Sequence, residues 1–218
     1  MNTDRERDYP INLRLAGRLA LVVGGGEVAE GRVAGLIEAD ASVTVVSPEA
    51  TPDLRRLAGD GAVELISRTV RESDLEGATL VLVCTDDSAL NAEVARWARA
   101  RGVLVNVADD PPHCDFALPS TFRRGDILVA VSTSGRSPGF SAALRRRLES
   151  QVDEADAQAL EIIGEQRRAI RPLLADQAQR FALINHLVAM DLAQVIRERG
   201  LSEARSQALK TVAQWLGK

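Results

Sequence analysis

A glycine-rich turn directly after a short apolar run constrains the fold of this chain more than any other feature. Residues 19–23 are all apolar, and the turn Gly24-Gly25-Gly26-Glu27-Val28-Ala29 follows at once and opens a helix-favouring stretch. This is the GxGxxA form of a dinucleotide-binding fingerprint. Gly24 allows the tight turn, Gly26 lets the backbone approach a pyrophosphate, and the small Ala29 lets the helix pack closely on the strand. A purely structural glycine turn is the alternative, but the agreement of strand, turn and helix favours binding.

Short β-branched runs alternate with helical stretches through the first half of the chain. The predicted strands are residues 19–23, 43–46, 63–66, 80–83 and 103–107, and apolar residues recur at helical spacing in 28–39 and 90–98. Strands that are apolar throughout are typical of a sheet covered on both faces, and the alternation predicts parallel βαβ units. The predicted fold class is therefore α/β, with a Rossmann-type domain first.

The pattern changes after Pro111 and Pro112. A turn at 123–126 precedes the apolar run 127–131, which predicts at least one further strand. Ser137-Pro138 predicts a helix start, because serine caps free amides and proline at the first helical position loses no hydrogen bond. Helix-favouring residues continue to Trp215. We predict three regions: a nucleotide-binding domain at 1–115, a small strand-containing region at 116–150, and a helical C-terminal domain at 151–218.

The helical tail carries more apolar surface than we expect its helices to bury alone. Its apolar stripes predict packing on the first domain or on a second subunit; they comprise Leu144, Leu148, Ile162, Ile163, Phe181, Ile184, Leu187, Val188, Leu192, Val195 and Ile196.

Composition argues against several classes of function. The net charge is -4 and the pI is about 5.4, which disfavours nucleic-acid binding. The charged stretch from Met1 to Asp8 does not resemble a secretory signal, and no apolar run is long enough to span a bilayer, so we expect a soluble cytoplasmic protein.

Cys84 and Cys114 form no CxxC pair and are interpreted as free structural thiols. The two histidines lack metal-ligand spacing, so we expect no resident metal.

Several motifs, taken together and in order, resemble the precorrin-2 dehydrogenase family, which includes the N-terminal half of the multifunctional siroheme synthases. They are the glycine loop, residues 43–49, Cys84-Thr85-Asp86-Asp87, Asn106-Val107-Ala108-Asp109, residues 116–120 and residues 131–138. The resemblance implies NAD-dependent oxidation of precorrin-2 to sirohydrochlorin on an intertwined homodimer, with 116–150 as the dimerisation region. Some members of the family also act as a ferrochelatase and insert ferrous iron at the same site. No methyltransferase half is matched, so we expect another protein to make precorrin-2.

The resemblance also implies roles for particular residues. Glu27, Val28, Pro48 and Glu49 match positions that touch NAD in the family, and Asp109 matches its essential aspartate. Thr133 falls where some members carry a phosphorylated serine. The predicted cofactor-binding set is Gly24, Gly25, Gly26, Glu27, Val28, Pro48, Glu49, Thr85 and Asp86.

Asp109 follows the end of a predicted strand, where ligands bind in open parallel sheets, so its carboxylate is the predicted general base. Asp109-Asp110-Pro111-Pro112 as a simple turn is the alternative. The second strand departs from the fingerprint, because no Asp or Glu lies directly at its tip, and Glu49 is the residue expected to reach the ribose instead. No arginine follows this strand immediately, which favours NAD over NADP. His113 either makes a structural hydrogen bond or assists proton transfer.

The substrate implied by the resemblance carries many carboxylates, so its pocket needs hydrogen-bond donors and positive charge. The start of the helix at 138 offers such an anion-binding turn. The predicted substrate-binding residues are Ser132, Thr133, Ser134, Arg136 and Ser137.

Two other functions fit the same fold. One is an NAD-binding redox-sensing regulator, in which the helical tail transmits the state of the cofactor. The other is a Rossmann dehydrogenase that acts on a different small substrate, because a fold alone does not fix the substrate.

Overall fold

The computed structural model describes residues 8–217. Contacts divide the chain into two compact units, Met1–Leu118 and Pro119–Lys218. The N-terminal stretch on which the expectation about a secretory signal rests lies outside the described residues, apart from Asp8. No helix among residues 8–217 is long and apolar enough to cross a membrane. The cytoplasmic location and the three-region division stay predictions.

The first unit is built around a five-stranded parallel sheet with the strand order β3-β2-β1-β4-β5. The α/β, Rossmann-type prediction is thus confirmed. Short 3-10 turns lie at Glu72–Leu75 and Pro111–His113. The strands are β1 Leu19–Val23, β2 Ser42–Val46, β3 Glu64–Ile66, β4 Ala78–Val83 and β5 Leu104–Val107, and the helices are α1 Glu27–Glu38, α2 Pro52–Gly59 and α3 Ser88–Arg101.

The two central strands are buried on both faces, which explains their unbroken apolar sequence. In β1, Ala20 and Val22 face the side of the sheet that packs on α1 and α2, whereas Leu21 and Val23 face the side that packs on α3. The alternation follows from the two-residue period of a strand. Each face thus has its own apolar core, and β1 and β4 are held between the two cores.

Helix α2 was not anticipated from the sequence. It is short and mostly polar, and of its eight residues only Leu54 is buried. Its start is nevertheless well defined, because the Thr51 hydroxyl accepts a hydrogen bond from the Leu54 amide at 3.3 Å and Pro52 occupies the first turn. A helix with one buried side chain leaves little apolar periodicity to detect.

The described residues of the second unit form a β-hairpin and five helices. Strand β7, Ile127–Val131, is the apolar strand predicted from the sequence, and it pairs antiparallel with β6, Ser120–Arg124. Strand β6 was missed because only Phe122 within it is buried. The helices are α4 Pro138–Glu149, α5 Glu154–Ile170, α6 Gln177–Ala189, α7 Leu192–Arg199 and α8 Leu201–Trp215.

Helices α5 to α8 bury much of the tail's apolar surface among themselves. Ile162, Leu187 and Leu192 lie in a common core, and Ala204 and Ala208 let α8 approach it closely. The expectation that the stripes need another domain or subunit is therefore wrong for these positions. Phe181 and Val188 are exposed, and for them packing on another domain or subunit stays a prediction.

An ion-pair network joins helix α7 to the start of helix α5. Arg197 on α7 donates to Asp153 at 2.9 Å and to Asp156 at 2.9 Å, both at the start of α5. The hydrogen bond from Arg197 lowers the pKa of the Asp153 carboxyl to about 2. Asp153 also caps α5, so the cap and the interhelical contact share one carboxylate.

Truncating the fully buried Leu183 to alanine is expected to destabilise the helical unit by about 2–5 kcal/mol, because it leaves a cavity in the core. Urea unfolding followed by circular dichroism measures the change. Leu209→Ala is the matched control, since Leu209 is also helical but is 57% exposed. Equal losses in the two variants would contradict the assignment of this core.

Candidate active site

The first two glycines of the loop after β1 are required by close backbone packing. Gly24 has a φ of +111°, and a Cβ there would overlap the carbonyl of Cys84 at the end of β4. A Cβ on Gly25 would overlap the Glu49 carbonyl and lie 2.9 Å from the Ala50 Cα. The loop is therefore wedged between the β4 end and the β2–α2 connection.

Gly26 differs from its neighbours because its position is open. A Cβ there would meet no atom within 4 Å, and its φ of -85° suits any residue. Gly26 is also the N-cap of α1, and no side chain caps the helix. The first intrahelical bond runs from the Glu30 amide to the Gly26 carbonyl at 3.0 Å, so the preceding amides have no helical acceptor.

These features fit the pyrophosphate of a dinucleotide. The free amides and the positive end of the α1 dipole attract an anion, and the open space at Gly26 gives it room. Ala29 is fully buried, which allows α1 to pack closely behind the loop. Val28, beside it, is 52% exposed and offers an apolar surface at the same end of the helix.

We expect Gly25→Ala to destabilise the first unit by about 2–4 kcal/mol, because the new methyl group would overlap backbone atoms that no rotamer change can move. Chemical denaturation measures the loss. Gly35→Ala is the control, since Gly35 lies on α1 with no atom near its Cβ position, and alanine there should stabilise by about 0.5–1 kcal/mol. A wild-type stability of the Gly25 variant would remove the packing explanation.

The connection between β2 and α2 lies against the glycine loop. The Thr51 amide donates to the Gly25 carbonyl at 2.9 Å, and the Thr51 hydroxyl donates to Glu30 at 2.8 Å. Pro48 and Glu49 are exposed within this connection. Two of the predicted cofactor contacts are thus brought beside the glycines.

The end of β4 places Thr85 and Asp86 differently. The Thr85 hydroxyl donates to the side chain of the buried Asn91 at 2.6 Å, and Asn91 donates back to the Thr85 carbonyl at 2.9 Å. Thr85 therefore secures the loop to α3, whereas Asp86 is exposed at the carboxyl edge of the sheet. Their contact with a cofactor stays a prediction.

Asp109 lies at the same edge, after β5. The Ala108 amide donates to the Val83 carbonyl at 2.8 Å, which extends the ladder with β4 to the residue before Asp109. Asp109 itself is exposed and has a φ of +58°. Strand β4 alone separates β5 from β1, so the Asp109 backbone and the glycine loop are roughly 10 Å apart across the sheet.

The turn that carries Asp109 is braced from inside by Cys114. Its sulfur lies 3.2 Å from both the amide and the carbonyl of Val107, and 3.3 Å from the Asp110 carbonyl. Burial raises the pKa of this thiol, which suits a neutral, structural role. Both cysteines are free, as predicted. Sequence reasoning missed the brace, which arises only because the chain reverses after Asp110.

Three further hydrogen bonds fix the segment that follows this turn. Arg99 on α3 donates to Asp115 at 3.0 Å, and Asp115 accepts from the Val105 amide at 3.2 Å. Asn106 donates to the Phe116 carbonyl at 2.8 Å. The segment that follows the Asp109 turn is consequently tied to both β5 and α3.

The predicted substrate-binding residues all lie in one loop of the second unit, between β7 and α4. Thr133 Oγ1 lies 3.3 Å from the Ser137 amide and 3.2 Å from its carbonyl, and Ser137 caps α4 by accepting from the Phe140 amide at 3.2 Å. The Ser132 hydroxyl accepts from the Ser134 amide at 3.2 Å. Arg136 is exposed. Three of the hydroxyls thus shape the loop, and binding of substrate by these residues stays a prediction.

No group of three or more metal-ligating side chains occurs among residues 8–217.

The strand order reverses between β1 and β4, and the glycine loop lies at the carboxyl ends of these strands, where Rossmann-type domains bind their cofactor. This arrangement defines the first unit as a dinucleotide-binding domain of the Rossmann type. Residues 11–120 match the family model described as putative NAD(P)-binding, and residues 124–151 match the model described as sirohaem biosynthesis protein central.

The chain belongs to the siroheme synthase and precorrin-2 dehydrogenase family. A siroheme synthase of Pseudomonas aeruginosa is 38% identical over 185 residues, which cover 85% of this chain and 40% of that protein. A siroheme synthase of Nitrosococcus oceani is 44% identical over 146 residues, or 67% of this chain and 31% of that protein. The chain thus spans two fifths or less of these two curated relatives.

A solved structure covers this chain more fully. The chain described as SirC, precorrin-2 dehydrogenase, superposes with a TM-score of 0.73 at 26% identity, over 95% of this chain and 100% of that one. The similarity therefore includes both units.

Proposed function

We propose that this protein oxidises precorrin-2 to sirohydrochlorin with NAD in siroheme biosynthesis. The observation that carries the proposal is the position of Asp109 and the glycine loop at one edge of one sheet, with only β4 between their strands. A base and a dinucleotide are the two groups that such an oxidation needs. The similarity to a precorrin-2 dehydrogenase supplies the substrate.

Bound at the glycine loop, NAD would supply the hydride acceptor. The protein's own contribution is positional and acid–base. The free amides of α1 hold the pyrophosphate, the β2–α2 connection borders the ribose, and Asp109 accepts the proton that the substrate loses. The Cys114 brace keeps the Asp109 backbone in place during this transfer.

NAD rather than NADP is the proposed cofactor. Glu49, at the exposed tip after β2, suits a ribose hydroxyl and repels a 2′-phosphate. Arg68, which follows β3, donates to both oxygens of Asp74 at 2.8 and 2.7 Å. This bidentate pair engages the Arg68 guanidinium with a carboxylate of the protein itself.

We propose a role for the β7–α4 loop in substrate binding and a role for a second subunit in covering apolar surface. We assign the carboxylates of the tetrapyrrole to the loop residues 132–137, with Arg136 as the exposed cation. We also propose a homodimer, which would cover exposed apolar side chains such as Phe181 and Phe140. Insertion of ferrous iron into sirohydrochlorin is a second activity that the same tetrapyrrole site would support.

The test combines purified protein, precorrin-2 made enzymatically in situ, and either NAD or NADP. We expect NADH and the sirohydrochlorin absorption spectrum to appear together, with a much lower KM for NAD than for NADP. Adding ferrous iron tests the second activity. Tight NAD binding without turnover would favour the redox-sensing regulator, and turnover of another reduced substrate would favour the different dehydrogenase.

A further inference from the structure

A carboxylate–imidazole pair lies immediately after Asp109. His113 Nδ1 is 2.8 Å from the Asp110 carboxylate, and the His113 amide donates to the Asp110 carbonyl at 3.1 Å. The 3-10 turn Pro111–His113 folds the imidazole back onto the carboxylate, and its two prolines stiffen the turn. The pair thus forms within one short turn, and none of the steps assigned above to NAD and Asp109 involves it.

An ionised carboxylate only accepts hydrogen bonds, so Asp110 places the proton of a neutral His113 on Nδ1. Nε2 is then the free basic nitrogen. The two side chains are 38% and 32% exposed, so the pair is in contact with solvent. The imidazole can therefore take a proton on one side and exchange it with water.

The Cys114 contacts bring the backbone at His113 and the backbone at Asp109 to the same end of this turn. The Cys114 sulfur contacts Val107 and the Asp110 carbonyl, which draws the end of the turn onto its beginning. The surrounding charges are Asp109, Asp110 and Asp115 on the turn, and Arg99 on α3, which donates to the Pro112 carbonyl at 3.4 Å and to Asp115. The Arg99 guanidinium is thus engaged by Asp115 and the Pro112 carbonyl. Asp110 is the charged group that contacts the His113 imidazole.

We propose that His113, oriented by Asp110, relays the proton from Asp109 to solvent in each turnover. This inference rests on the proposed function. The O–H bond of the protonated Asp109 carboxyl breaks, an N–H bond forms at Nε2 directly or through one water, and the imidazolium then protonates bulk water. No electrons are exchanged with the protein. Asp109 returns to the carboxylate that the next substrate needs, even when bound ligands cover it.

The chain provides its own control, because His186 is the only other histidine and lies on α6 beside Trp215, with ring centroids 5.9 Å apart. We expect His113→Ala to lower kcat on the order of tenfold, less than the roughly 10²- to 10⁴-fold effect of a base in direct contact. KM for NAD should stay within about twofold, since no cofactor contact is removed. Added imidazole should restore much of the lost rate, and His186→Ala should show neither loss nor rescue.

A second measurement does not depend on turnover. In protein with ¹⁵N-labelled histidine, NMR should show neutral His113 protonated at Nδ1, and Asp110→Ala should abolish this preference. Protonation at Nε2 in the wild type would overturn the inference, and so would unchanged kcat or a loss that imidazole does not restore. A wild type that makes no sirohydrochlorin would instead overturn the proposed function, and the relay role with it.

Discussion

Asp109→Asn is expected to lower kcat by about 10²- to 10⁴-fold while leaving folding and NAD affinity nearly unchanged. The amide has the size of the carboxylate but accepts no proton at neutral pH. Asparagine also tolerates a φ of +58°, so the substitution adds little backbone strain. Alanine would be a poorer test, because at this φ it would add roughly 1–2 kcal/mol of strain to the chemical loss. Steady-state kinetics and calorimetric titration with NAD measure the two quantities.

Asp40→Asn is the matched control. Asp40 is also exposed and has a φ of +55°, but it precedes β2 and therefore lies at the amino-terminal edge of the sheet. We expect this variant to match the wild type in kcat, NAD affinity and stability. If Asp109→Asn lost cofactor affinity as much as rate, Asp109 would be a binding residue and the general-base assignment would be withdrawn.

The parts of the fold that carry a continuous apolar run or a local cap signal were predictable from the sequence. Strands β1 and β7 have the predicted bounds, because each is an unbroken apolar run, although only β1 is buried along most of its length. The start of α4 was predictable from Ser137 and Pro138, since the cap is local chemistry. Strand β6 and helix α2 were not, because each is mostly polar, with a single buried apolar side chain, and so carries almost no apolar signal.

The site was predictable only where local sequence determines geometry. The glycine loop has its own pattern, whereas the need for glycine at position 25 comes from Glu49 and Ala50, which are distant in the chain. The Cys114 brace likewise depends on the return of the chain from Asp110 to β5. Such contacts join segments whose spacing carries no recognisable motif, so they became visible only in three dimensions.

Gly26→Leu is expected to raise both Kd and KM for NAD by about 10- to 100-fold, with a folded protein and little change in kcat at saturating cofactor. The backbone at Gly26 accepts any residue and its Cβ position is empty, so the side chain should fit without disturbing the loop. It would fill the space assigned to the pyrophosphate. Loss of one hydrogen bond to a charged group costs about 1.5–3 kcal/mol, which corresponds to the expected range.

A size series at this position separates steric exclusion from a change in the loop. Gly26→Ala, Gly26→Val and Gly26→Leu should weaken NAD binding progressively while thermal unfolding stays near that of the wild type. Gly25→Ala should lower the temperature of thermal unfolding and leave NAD binding by the folded protein near that of the wild type. The reason is that its new methyl group overlaps the protein backbone and not a ligand. If all three Gly26 variants bound NAD like the wild type, the loop would be a structural turn. Asp109 would then have no dinucleotide opposite it, and the proposed oxidation would lose its hydride acceptor.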